Sequence, residues 1–111
     1  MRNNLYIAVG LSGALAIAAG AFGAHAATGV AQALLRTGGL YQLIHAAAAL
    51  ALIDRAPRAA MAMLGGAATF ALSLYALALG APRLTGAITP LGGIVMIGGW
   101  LWIALDGQAR R

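Results

Sequence analysis

Two histidines are the side chains of this sequence best suited to chemistry. His25 closes the stretch GAFGAH, and His45 closes YQLIH twenty residues later. Imidazole ligates zinc, copper and haem iron, and it also serves as a hydrogen-bonding partner between helices. Few other groups compete for these roles. There is no cysteine, and the two acidic residues are Asp54 and Asp106. Disulfides, thiolate metal sites and thiol catalysis are therefore excluded. Two histidines without further ligands fall short of a zinc or iron site. Ser12 and Ser73 lack the acid–base partners of a nucleophile. The expectation is no catalytic residue, no metal site and no cofactor, with a haem or metal on His25 and His45 as a lesser alternative.

The elements that position these residues are written in the composition. The chain has 111 residues, 62% hydrophobic and 8% charged. Soluble domains carry roughly 25% charged residues. Here the apolar residues fall in long uncharged runs, the mark of a membrane protein. The net charge of +5 comes from seven arginines. They stand at the ends of apolar runs rather than in a patch, which argues against nucleic acid as a partner. The lipid bilayer is the expected one.

Leu5 to Ala24 is an uncharged run long enough to span ~30 Å of hydrocarbon. Arg2 before it and Ala24-His25-Ala26 after it imitate a signal peptide. The run exceeds the ~7–15 residues of such a segment, so a retained helix over about 4–25 is expected. Thr28 is a candidate N-cap for a second helix over 29–53. Gly38-Gly39 is its candidate kink, and 27–39 is either interfacial or continuous with the rest. Asp54, Arg55, Pro57 and Arg58 mark a solvated loop. A third helix follows over 58–80, a turn at Pro82-Arg83, and a fourth over 88–105. The reading is one all-α domain over 1–111, a four-helix transmembrane bundle. An even number of spans puts both termini on one side. Arg2, Arg55, Arg58, Arg110 and Arg111 share that side, against Arg36 and Arg83. This predicts cytoplasmic termini, with Trp100 and Trp102 in an interfacial belt on that side.

Helical periodicity assigns faces. Gly10, Gly13, Gly20 and Gly23 fall in a stripe about 140° wide at 100° per residue, a candidate close-packing face. Tyr41 and His45 are one turn apart, with Gln42 beside them. Gly66 and Ser73 lie on a small, weakly polar stripe of the third helix. Gly92 and Gly99 align on the fourth, with Thr89 a turn earlier. His25, Tyr41, Gln42, His45, Ser73 and Thr89 are thus expected as one polar cluster in the outer half of the bundle, binding a ligand or tying helices together.

GAFGAH, TGGLYQLIH, SLY and TPLGGIVMIGGW occur in that order. In this the sequence resembles the YgdD/YwdK-like family of small bacterial inner-membrane proteins, domain of unknown function 423. The resemblance implies four transmembrane helices and the inner membrane, and supplies no activity. It marks Gly20, Phe22, Gly23, His25, Tyr41, His45, Ser73, Tyr75, Thr89, Pro90, Gly92, Gly93 and Trp100 as signature residues. The functional expectation is a structural or accessory protein, in a larger membrane complex or a homo-oligomer. The alternative is binding or transport of a lipid, small molecule or ion through the polar cluster.

Overall fold

The computed structural model describes residues 1–109, so Arg110 and Arg111, counted above for orientation, lie outside the described residues. Four helices follow in order: α1 Arg2–Ala26, α2 Gly29–Leu52, α3 Pro57–Ala78 and α4 Thr89–Ala109. A short 3₁₀ turn, Arg83–Ala87, precedes α4. There is no strand among the described residues, and the protein is all-α. α2 runs unbroken through Gly38-Gly39. The segment after residue 28 is therefore continuous with the rest of that helix.

Local chemistry sets the boundaries. Pro57 begins α3, where its missing N–H costs nothing. Gly80 follows the last turn of α3 with φ +101°, a conformation that a side chain resists. Its N–H bonds the Leu77 carbonyl at 3.1 Å, and the Ala81 N–H bonds that of Ala76 at 2.9 Å. This is a Schellman cap, and it satisfies carbonyls that the helix leaves open.

The helices alternate in direction. Arg2 at the start of α1 pairs with Asp54 just past the end of α2, at 2.8 Å. Leu5, Ala49, Ile53, Ala60 and Met63 cluster with Ile103 against them, joining the start of α1, the end of α2, the start of α3 and the end of α4. Ala19, Leu35, Ala71 and Tyr75 form the core at the other end. α3 is the central element. Half of its most apolar stretch is buried, against 11% for α1 and 17% for the segment Arg83–Gly107.

α1, α3 and the segment Arg83–Gly107 are each long and apolar enough to cross a membrane. α2 is comparably long, and Gln32, Arg36, Gln42 and His45 lower its hydropathy. Gln42 and His45 are nevertheless buried against the other helices.

Glycine brings the helices together, though not at every expected position. A Cβ on Gly92 would meet the Phe70 backbone nitrogen and stand 2.6 Å from the Gly66 carbonyl oxygen. On Gly66 it would stand 2.9 Å from the Met96 nitrogen, and on Gly99 3.3 Å from the Met63 sulfur. On Gly23 it would stand 3.0 Å from Leu35 Cβ. Gly10, Gly13 and Gly20 differ: nothing lies within 4 Å of the corresponding point. The buried face of α1 is instead Leu5, Ala16, Ala19 and Gly23. The glycine stripe and this face only partly coincide: Gly10 is exposed and Gly13 is half-buried at the edge. Gly38 and Gly39, assigned to a kink, are contact residues. A Cβ on Gly39 would lie 2.9 Å from the Ala16 carbonyl oxygen.

Overpacking against a neighbouring helix costs roughly 1–3 kcal/mol. Gly92→Ala is therefore expected to lower the stability of the detergent-solubilised protein by at least that much. Gly10→Ala meets no neighbour and is expected to leave stability unchanged or raise it by up to ~1 kcal/mol. Denaturant titration followed by circular dichroism measures both, and equal effects would contradict the packing described.

Candidate functional site

Each pair of adjoining helices is joined by polar side chains placed beside a close contact. Between α1 and α2, the Gln32 side-chain amide donates to the Gly23 carbonyl at 3.1 Å. Between α2 and α3, the Tyr75 hydroxyl donates to Gln42 Oε1 at 2.7 Å. Gln42 is only 2% exposed. Gly38, one turn earlier, makes room for the tyrosine ring, since a Cβ there would stand 2.6 Å from Tyr75 Cε1. Between α3 and α4, Ser73 Oγ lies 2.8 Å from the Phe70 carbonyl oxygen and 2.6 Å from Thr89 Oγ1. A serine has one proton to give. With that proton on the Phe70 carbonyl, Thr89 donates to Ser73.

α2 and α4 flank α3, and His45 joins them. The Trp100 indole N–H donates to His45 Nε2 at 3.0 Å. His45 Nδ1 lies 2.6 Å from the Tyr41 carbonyl oxygen. Indole nitrogen only donates, and a carbonyl only accepts. The ring that satisfies both carries its proton on Nδ1, and both nitrogens are then spent inside the protein. Beside this bond an aromatic cleft of about 320 Å³ opens between α2 and α4, lined by Tyr41, His45, Phe70, Met96 and Trp100. The Tyr41 and Phe70 ring centroids are 5.0 Å apart, and those of His45 and Trp100 are 5.8 Å apart.

The six expected cluster residues are therefore divided among several contacts. Tyr41 and His45 belong to the α2–α4 contact, Gln42 to α2–α3, and Ser73 with Thr89 to α3–α4. His25 joins none of them. It is exposed in the last turn of α1 and has no hydrogen bond among the described residues. His45 lies sixteen residues beyond Gly29, a rise of ~24 Å along α2. That is nearer the Leu52 end, so the cluster is not confined to the half of the bundle that holds His25. One metal ion, with bonds of ~2 Å to each nitrogen, cannot take both rings. Among the described residues there is no group of three or more His, Cys, Asp or Glu side chains able to hold a metal.

Two partners were not legible as such. Trp100 was expected in an interfacial belt, yet it is the twelfth residue of a 21-residue helix and its N–H serves His45. Tyr75 lies in the SLY motif without a role that sequence alone assigns. Its signal was position, since a tyrosine among buried alanines needs a partner for its hydroxyl. No buried side-chain nitrogen or oxygen among the described residues is left without a partner.

Residues 19–93 match the model of a protein family described as protein of unknown function, DUF423. The chain belongs to this family. A UPF0382 membrane protein of Haemophilus influenzae is 37% identical, across 94% of this chain and 93% of its own length. The UPF0382 inner membrane protein YgdD of Escherichia coli K12 is 33% identical, across 96% and 89%. The UPF0382 membrane protein YwdK of Bacillus subtilis is 34% identical, across 82% and 85%. No solved structure matches significantly. The matched stretch contains Gly23, Gln32, Gln42, His45, Ser73, Tyr75 and Thr89, while Trp100 lies beyond it. The protein is a membrane protein of this uncharacterised family, with lipid-contacting apolar helices.

The His45–Trp100 bond is open to direct measurement. Interhelical hydrogen bonds in membranes couple by about 0.6 kcal/mol on average and at most ~1.7. A double-mutant cycle of His45→Ala and Trp100→Phe should give a coupling in that range. Strictly additive losses would contradict the bond.

Proposed function

We propose that this chain is an accessory protein of the bacterial inner membrane, acting through its lateral surfaces rather than through a chemical centre. In this reading α2 is the fourth span, and both termini face the cytoplasm. The observation that carries it is the use of the interior polar groups on one another. Gln42, His45, Ser73, Tyr75 and Thr89 all have their bonds within the bundle. Asp54 and Asp106 are the acidic residues, and both lie toward helix ends, away from mid-span. A proton or cation pathway built on carboxylates has nothing to run on.

Hydropathy averages α2 over its whole circumference, whereas the lipid meets only its outer face. With Gln42 and His45 turned inward, Val30, Leu40, Leu43, Ile44 and Leu50 remain exposed. This favours a crossing helix. Arg2, Arg55 and Arg58 at one end of the bundle, against Arg36 and Arg83 toward the other, support this orientation. α1 and α4, the least buried helices, offer long apolar surfaces to lipid, to a second copy or to another membrane protein.

The aromatic cleft supports a second reading, in which a lipid chain or small apolar molecule sits beside Phe70 and Trp100. Purification in a mild detergent separates the two. A co-purifying membrane protein, or a homo-oligomer, that is lost in Gly10→Leu or Gly13→Leu without loss of stability supports the accessory reading. A monomer carrying a stoichiometric small molecule, lost in Phe70→Ala, overturns it. Topology is tested separately with reporters at the C-terminus. A fluorescent-protein fusion should glow and an alkaline phosphatase fusion should be inactive. The reverse pattern would refute the orientation.

A further inference from the structure

Among the described residues, the end of the bundle where α2 turns into α3 carries Arg2, Arg55 and Arg58, and they are not equivalent. Arg2 is held by Asp54 at 2.8 Å and stacks over the Tyr6 ring at 5.6 Å. Arg55 and Arg58 belong to the opposite side of the turn, where α4 ends. With Trp102 and Asp106 they line a groove of about 250 Å³. Arg58 has no ion pair or hydrogen bond among the described residues. A second groove, of about 300 Å³, adjoins the first and shares Arg55 and Asp106 with it. Its other walls are apolar, Leu52 from α2 and Ile103 from α4 among them. The two grooves together have a charged mouth with an indole at its side, continued by an apolar trough between two membrane helices.

That division is the division of a phospholipid. Guanidinium groups bind phosphate with paired, charge-assisted hydrogen bonds. Indole favours the level of the headgroups. The Arg58 guanidinium, with no partner among the described residues, stands at this mouth, and the N-terminus of α3 beside it adds partial positive charge. We propose that these adjoining grooves hold one anionic phospholipid. Its phosphate lies on Arg58, its glycerol beside Trp102, and one acyl chain runs along Leu52 and Ile103. The site is separate from the aromatic cleft around Phe70. It stands whichever way the bundle is oriented and whether or not the chain serves as an accessory protein.

The test uses the full chain in non-ionic detergent, with thermal unfolding recorded against added phosphatidylglycerol, phosphatidylcholine or inorganic phosphate. Phosphatidylglycerol should raise Tm to a plateau, and this gain should shrink as salt is added. Phosphatidylcholine and phosphate should do little. Arg58→Gln should weaken phosphatidylglycerol binding about fivefold, the worth of one basic residue at an anionic surface. Arg58→Lys should retain most of the binding, and Arg83→Gln, at the other end, all of it. Lipid-free Tm values show whether each variant is folded. If Arg58→Gln loses stability, the salt response of the unaltered protein decides. Equal effects of the two lipids, a response indifferent to salt, or undiminished binding by a folded Arg58→Gln would overturn the proposal. Stabilisation by phosphate alone to the same plateau would overturn the lipid and leave an anion site.

Discussion

Gly92 of α4 lies so close to Gly66 and Phe70 of α3 that a methyl group placed on it would strike backbone. Much of the structure follows from that approach. In a membrane no hydrophobic gain drives one helix against another, because lipid is as apolar as leucine. What remains is dispersion between surfaces that fit, and a few hydrogen bonds protected from water. Both require short distances. The Ser73–Thr89 bond exists because Gly92, one turn from Thr89, removes the side chain that would hold α4 off α3. Gly38 does the same for Tyr75 and Gln42. Small residues and polar pairs are therefore a single device. The glycine sets the gap, and the polar pair fixes rotation and register.

The α2–α4 contact is of another kind. These helices flank α3 rather than pressing on one another, and the space between them is bridged by two large rings. His45 and Trp100 reach across where no glycine brings backbones together, which also explains the aromatic cleft beside them. Burial of an imidazole with both nitrogens satisfied is inexpensive. Burial of one nitrogen left open would not be, so His45 depends on Trp100 as much as α4 depends on His45.

Much of this architecture could be read in the residues. Uncharged runs broken by Asp54-Arg55-Ala56-Pro57-Arg58 and by Ala81-Pro82-Arg83 define the helices, because charge and proline are both costly within a span. Gly66, Gly92 and Gly99 lie at helical spacing, and each stands against the neighbouring helix. The first glycine stripe is split, since Gly20 and Gly23 lie against α2 while Gly10 and Gly13, on the same arc, have nothing within 4 Å of a Cβ point. Periodicity gives an arc and cannot say which edge of it meets a neighbour. His25 and His45 share a residue type and lie on helices joined at one end. Depth along a helix separates them, and a pattern of faces carries no depth. Trp100 is of a type common at interfaces, and residue type alone does not reveal that its N–H serves His45.

The cysteine-free sequence permits one decisive measurement of the α3–α4 register. Ser73→Cys with Thr89→Cys, in native membranes under mild oxidation, should form an intramolecular disulfide and lose both thiols to labelling. His25→Cys with His45→Cys, treated identically, should keep both thiols. Free thiols at 73 and 89, or a disulfide between 25 and 45, would contradict the arrangement of helices on which the account rests.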